Sequence, residues 1–206
     1  MDAQGLVLAI GRISRKIEEN KEYLVKLDQL NGDGDLGISM SDGFKAVCAM
    51  MVTSEEKDLG KLFMKAGAAF NEAAPSSLGT ILSFGFMGMA GSLKGTVEAT
   101  PKQITAALCA GVDKIMEKAG SKPGERTILD SLCPAVEAFG KKVSQQNEEL
   151  CDALKEAARA AAEGAEATRQ MKPVHGRAAY YGEKSLGHLD GGAVVGKLIF
   201  EALYGD

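Results

Sequence analysis

Apolar residues recur at helical spacing along almost the whole chain. Leu6, Ile10, Ile13 and Ile17 form one stripe, and Leu59, Leu62, Phe63, Ala66 and Phe70 form another. Ile104, Ala107, Leu108, Gly111, Val112 and Ile115 follow the i, i+3, i+4, i+7 rule of a helix with one buried face. Leu150, Ala153, Leu154, Ala157, Ala158, Ala161 and Ala165 make an alanine-rich face that lets a neighbouring helix approach closely. The pattern predicts helices near 3–19, 40–51, 55–73, 78–93, 101–119, 128–143, 147–170 and 191–204. No segment shows the alternation of a half-buried strand, so the fold class is all-α. Gly85, Gly88 and Gly91 recur every third residue inside one helix. Without a preceding strand they do not read as a nucleotide loop, and backbone contact between helices explains them better.

Composition narrows the class. At 206 residues the chain fits one domain, 1–206, large enough to bury a core without disulfides or structural metal. Aromatic residues make up only 5% and Trp is absent, so the core rests on Ala, Leu, Ile, Val and Met. A net charge of −4 gives no general attraction to nucleic acid or to an anionic membrane. No apolar run reaches the roughly 18 residues of a membrane helix, and the N-terminus has no signal-peptide pattern. Cys48, Cys109, Cys133 and Cys151 show no C-x-x-C spacing and read as core thiols of a cytoplasmic protein.

The chemistry is concentrated between the helices. Asp28, Asp33 and Asp35 fall within eight residues, with no basic residue among them. At ~4 Å and an effective dielectric near 20, each like-charge pair costs about 4 kcal/mol. A compact loop therefore calls for a cation, and Gly32, Gly34 and Gly37 let the backbone bend the carboxylates toward one point. Hard oxygen donors suit magnesium or calcium. An EF-hand register starting at Asn31 fails, because Leu36 takes the place of the hinge glycine and Asp42 that of the bidentate Glu. Magnesium with phosphate fits better. The competing reading is a solvated acidic turn with its carboxylates fanned into water.

Three further loops can contribute. Ala74-Pro75-Ser76-Ser77 opens a helix whose free N–H groups and hydroxyls form an anion site, unless they serve only as a cap. Lys122 to Thr127 leads into another helix, with Thr127 and Asp130 at capping-box spacing. The stretch 171–192 has no periodicity, yet it carries His175, Arg177, Tyr180, Tyr181, His188 and Asp190. Arg177 can fork onto phosphate oxygens, and Asp190 can cap the last helix. Neither histidine is assigned as a base.

The run Asp28…Gly32-Asp33-Gly34-Asp35-Leu36-Gly37 resembles the aspartate motif of the DhaL family, the nucleotide-binding L subunits of dihydroxyacetone kinases. The resemblance continues at Ser76-Ser77-Leu78-Gly79-Thr80, at Gly120 to Asp130 and at Gly176 to Ala193, in order and at family spacing. It implies an eight-helix antiparallel up-and-down barrel with the nucleotide at one end. It implies two Mg2+ ions on Asp28, Asp33 and Asp35, bridging the phosphates of ADP or ATP. Leu36, Gly37, Ile38, Ser39, Ser76, Ser77, Ala119, Ile128, Arg177, Asp190, Gly191 and Gly192 then fall at the family's nucleotide-contact positions. No catalytic residue is assigned on this chain.

Three departures stand out: Leu36 where the family usually has His, Ile38-Ser39 for a more polar pair, and Gly191 where Pro is frequent. The resemblance implies a kinase subunit that transfers phosphoryl from Mg–nucleotide to dihydroxyacetone held on a separate K-type subunit. Without a fused K domain, the chain resembles the phosphotransferase-linked systems, in which an M-type phosphocarrier recharges bound ADP. The alternatives are the L subunit of a two-chain ATP-dependent kinase for a related ketose, and a regulatory nucleotide- or metal-binding module without turnover. Neither nucleic acid nor membrane is an expected partner, and homodimerisation stays open.

Overall fold

The computed structural model describes residues 1–145 and 149–205. Its elements are α1 (Ala3–Glu19), α2 (Lys21–Asp28), α3 (Leu36–Val52), α4 (Leu59–Ala73), α5 (Ser77–Ser92), α6 (Pro101–Ala119), α7 (Leu129–Val143), α8 (Leu150–Ala167) and α9 (Gly191–Tyr204). The predicted stripes become the inner faces: Leu6, Ile10, Ile13 and Ile17 of α1 are buried, as are Leu59, Leu62, Phe63, Ala66 and Phe70 of α4. Taken round the molecule, α1, α3, α4, α5, α6, α7, α8 and α9 each pack on the next, and α9 closes on α1. The result is the all-α, eight-helix up-and-down barrel that the resemblance implied, with the short α2 added.

Alternate connections gather at opposite ends, as antiparallel neighbours require. The loops before α4 and α6 meet at one end, where Leu59 N–H donates to Thr96 O (2.8 Å) and Gly95 N–H to the Asp58 carboxylate (3.0 Å). The Met1 ammonium joins them by donating to Ala99 O at 2.7 Å. The loops before α3, α5, α7 and α9 gather at the other end and line one cleft.

Close approach depends on missing side chains. A Cβ on Gly88 would strike Ala110 O of α6, and one on Gly111 would come within 3.1 Å of Gly85 O, so Gly85 and Gly88 do serve helix contact, while Gly91 faces open space. Pro134 within α7 cannot donate to the carbonyl four residues earlier, at Asp130. Gly164 of α8 packs on that same carbonyl, where a Cβ has no room. Aromatic contacts join α3, α4 and α5: the Phe44 and Phe70 rings meet edge to face at 4.9 Å and 78°.

Several expectations need correction. Helix α3 begins at Leu36, not near 40, and its first backbone bond runs from Ser39 N–H to Asp35 O at 2.9 Å. Helix α4 begins at Leu59, not near 55, since the Asp58 carboxylate caps it by accepting from Lys61 N–H at 3.2 Å. Helix α2 was missed: it is only eight residues long and buries Leu24 alone, too little to form a stripe. The predicted start of the seventh helix, 147–148, lies outside the described residues, and α8 ends at Ala167 rather than near 170. The stretch 171–192, expected as a loop without periodicity, contains a 3-10 segment, Arg177–Ser185, kinked at Gly182. Cys109 and Cys151 are exposed rather than core thiols, since they sit off the buried stripes of α6 and α8. No helix among the described residues is long and apolar enough to cross a membrane.

Candidate functional site

The acidic loop is built by its backbone. After α2 the chain turns back on Asp28, whose carbonyl accepts from Asn31 N–H (3.1 Å) and Gly32 N–H (2.6 Å). A Cβ on Gly32 would strike the Asp28 carboxylate, and Gly34 has φ +80°, a conformation that side chains rarely adopt. Gly34 N–H then donates to Asp28 Oδ2 at 2.8 Å. The outcome is that one oxygen from each of Asp28, Asp33 and Asp35 lies within 4.8 Å of the others. Burial pushes the Asp35 carboxyl above its ordinary range, and the Asp33 and Asp28 charges push it further, with Arg177 opposing. Arg177 Nη1 sits 2.6 Å from Asp33 Oδ2. Three mutually repelling carboxylates with hard oxygen donors fit a divalent cation such as magnesium.

The opposite wall can receive anions. Ser76 caps the 16-residue α5, its Oγ accepting from Gly79 N–H at 3.1 Å, and it shares a 2.6 Å hydrogen bond with Ser39 Oγ. Ser77 is the first residue of α5. Free N–H groups there, and the positive end of the helix dipole, favour phosphate.

The third wall joins the start of α7 to the start of α9. Asp130 accepts from Gly124 N–H (2.5 Å) and Thr127 N–H (2.7 Å), which fixes the turn before α7. Asp190 caps α9 by accepting from Ala193 N–H at 2.8 Å, and its own N–H donates to Thr168 Oγ1 at 3.0 Å. Burial pushes the Asp190 carboxyl up to about 6, against the helix N–H groups and the Arg126 charge. Arg126 is only 4% exposed, has φ +60° and donates from Nη2 to His188 O at 3.0 Å. Burial lowers the pKa of this guanidinium. His175 Nε2 lies 2.7 Å from Glu125 Oε2, and Ser185 Oγ donates to Asn31 Oδ1 at 3.3 Å. These bonds hold the last loop across the cleft mouth.

The cleft they enclose measures about 890 Å³. Asp28, Asp33, Asp35, Leu36, Ser76, Ser77, Ala119, Ile128, Arg177, Asp190, Gly191 and Gly192 all line it. Ser39 reaches it through Ser76. Gly37 and Ile38 are not among its lining residues. Gly37 is turned against α2, where a Cβ would strike Lys21 O and Val25, and Ile38 is 47% exposed. Arg177, expected on phosphate, is drawn to Asp33 instead. Asn71, Ile81, Ile115, Arg126 and Leu189, not expected at the site, also line the cleft. Arg126 could have been noticed as a cation in a turn leading to a helix. The apolar members are indistinguishable in sequence from core residues.

The DAK2 domain family model matches residues 31–205. The ADP-binding subunit DhaL of PEP-dependent dihydroxyacetone kinase 1 from Listeria innocua is 33% identical over 189 residues, covering 91% of this chain and 88% of that protein. The DhaL subunit of the corresponding Escherichia coli kinase is 30% identical over 84% of this chain and 81% of its own length. The L-erythrulose 1-kinase of Mycolicibacterium smegmatis is 30% identical over 98% of this chain, which spans only 35% of that protein. Among solved structures, the dihydroxyacetone kinase of C. freundii in complex with AMP-PNP and Mg2+ superposes with a TM-score of 0.77 at 24% identity, over 97% of this chain and 33% of that one. The native form superposes equally well, at 23% identity. The structural likeness establishes the barrel, and the sequence matches establish the family: the chain belongs to the DhaL family of DAK2 domains.

Proposed function

We propose that this chain is the Mg–nucleotide-binding subunit of a dihydroxyacetone kinase, active only with a K-type subunit that holds the ketose. The observation that carries the reading is the convergence of Asp28, Asp33 and Asp35 within 4.8 Å at the edge of a cleft that also contains Ser76, Ser77 and Arg177. Asp28, Asp33 and Asp35 would hold two magnesium ions, whose combined +4 charge offsets the three carboxylates. Magnesium held on these three carboxylates would supply the positive charge that phosphoryl transfer requires. Ser76, Ser77 and the α5 N-terminus orient the phosphates through hydroxyl and N–H donors. Arg177, already beside the acidic loop, is placed to pair with a phosphate oxygen once cations take over Asp33. Ala119 and Ile128, with Asp190, Gly191 and Gly192, face the nucleoside. Phosphoryl transfer needs little covalent help from the protein beyond positioning and charge, so the acceptor hydroxyl can arrive on the partner.

Recharging of bound ADP by an M-type phosphocarrier is the favoured cycle, because the DhaL relatives named above belong to PEP-dependent kinases. Direct use of ATP on a related ketose is the second reading, favoured by the likeness to an L-erythrulose 1-kinase. Mixing the chain with a K-type subunit, magnesium and either dihydroxyacetone or erythrulose, once with ATP and once with PEP and the phosphotransferase proteins including the M-type phosphocarrier, tests both. Ketose phosphate should form only when both subunits are present. Product from the chain alone, or none from the mixture with either ketose, contradicts the proposal.

A further inference from the structure

Arg126 stands in the turn before α7 and is the one residue other than glycine, among the described residues, with a positive φ, +60°. Nη2 of its buried side chain donates to His188 O at 3.0 Å, which ties this turn to the chain entering α9. Nε and Nη1 are also buried and find no hydrogen-bond partner among the described residues. A left-handed backbone and two unsatisfied donors each cost stability. A clamp kept for stability alone would carry neither.

The guanidinium does have a charge partner. Asp190 accepts from Ala193 N–H at 2.8 Å and caps α9, whose first two residues are Gly191 and Gly192. Two glycines lend that first turn no side-chain packing, so the cap decides its shape. A Cβ on Gly192 would sit 3.1 Å from Asp190 Oδ2 and 3.2 Å from Ile128 N. The starts of α7 and α9 therefore touch where both line the cleft. Two charges act on Asp190, both from the α7 side: Arg126 favours its ionised form and Asp130 opposes it. The Ala193 and Gly192 N–H groups of α9 favour it as well. Thr168, just after α8, offers a neutral hydroxyl that accepts from the Asp190 N–H.

We propose that Arg126 is a positioning residue for the nucleotide site: it joins the α7 turn to α9 and steadies the Asp190 carboxylate at the head of α9. This inference rests on the nucleotide reading above. With the guanidinium in place, Asp190 loses its proton at lower pH than its burial alone would allow. An ionised cap binds the α9 N–H groups more strongly than a neutral one, and through it Gly191 and Gly192 keep their place in the cleft wall. Without the charge, Asp190 holds its proton to higher pH and that wall loosens.

The test compares wild type, Arg126→Gln, Arg126→Lys, Asp190→Asn and the Arg126→Gln/Asp190→Asn double variant. The readouts are carbon NMR titration of the Asp190 carboxyl without nucleotide, and Mg–ADP affinity from about pH 5 to about pH 8. In Arg126→Gln, Asp190 should titrate at higher pH. Mg–ADP affinity should be weaker at least about tenfold near pH 6 and converge on wild type toward pH 8. The ADP phosphate and the acidic triad titrate alike in every variant, so the difference between profiles isolates Asp190. Arg126→Lys keeps the charge and should keep the wild-type titration and profile. With Asn at 190, adding Arg126→Gln should no longer change the profile. An unshifted Asp190 in Arg126→Gln would overturn the inference. So would a loss of equal size at every pH, as a merely structural contact would give, or a pH-dependent loss that persists with Asn at 190. Should Arg126→Gln fail to fold, Arg126→Lys decides, and a shifted profile there overturns the inference. Wild type that binds no Mg–ADP at any pH would instead remove the nucleotide reading, whereas an unshifted Asp190 removes this inference alone.

Discussion

Arg177 Nη1 lies 2.6 Å from Asp33 Oδ2, so a cation from the last loop reaches the acidic triad. The side chains are 65% and 45% exposed, and an ion pair that open contributes little to stability. Its importance is in competition, because Arg177 occupies charge that a metal would use. Replacing Arg177 with Ala should leave Mn2+ affinity unchanged or strengthen it, and should weaken Mg–ADP about tenfold or more through loss of a charged phosphate contact. Titration of the variant with Mn2+ alone and then with Mg–ADP checks the opposite signs. Weakening of both would show Arg177 to be a scaffold for the loop.

Asp33→Asn and Asp35→Asn should abolish Mg-dependent nucleotide binding while the barrel stays folded. Ligand-free stability should not fall. In the folded protein the ionised Asp35 is disfavoured by burial and by its two acidic neighbours, so a neutral side chain relieves a cost at neutral pH. Calorimetry with Mg–ADP and melting without it are the measurements. Wild-type affinity in both variants would remove the triad from the site.

Most of the barrel was legible because apolar residues at helical spacing mark eight helices, each with a face to bury against its neighbours. What the stripes could not show was α2, which buries a single leucine, and the bonds that give the stretch 171–192 its shape. Of the site, the acidic loop was legible because Asp28, Asp33 and Asp35 repel one another in a glycine-rich turn that holds no basic residue to offset them. Gly37 and Ile38 illustrate the limit. They adjoin Leu36 in sequence, but a helix begins at Leu36 and turns successive side chains roughly 100° apart, so Gly37 meets α2 and Ile38 faces outward. Arg126 was missed because its burial depends on a contact with His188, 62 residues away.

Asp190 gives a pH signature. Its folded carboxyl titrates at about 6, against roughly 3.9 in an unfolded chain. Between those values the folded protein binds the extra proton, so this group's contribution to stability falls as pH rises from about 4 to about 6. Asn at 190 keeps a cap for α9 but does not titrate. The ligand-free melting point of Asp190→Asn minus that of wild type should therefore grow more positive across that window and level off above about pH 7. A difference independent of pH would contradict the raised carboxyl.

Thermal melting with ADP shows whether the cleft binds nucleotide only through metal held on Asp28, Asp33 and Asp35. Ligand at 100 times its dissociation constant adds about 2.7 kcal/mol, and each kcal/mol raises Tm by roughly 2–4 °C in a domain of this size. Magnesium with ADP should raise Tm by roughly 5–10 °C, and EDTA should reverse the shift. ADP without magnesium should leave Tm unchanged, because three carboxylates then face the phosphates unscreened. An equal shift with ADP in EDTA, or none with magnesium and ADP together, would contradict the account.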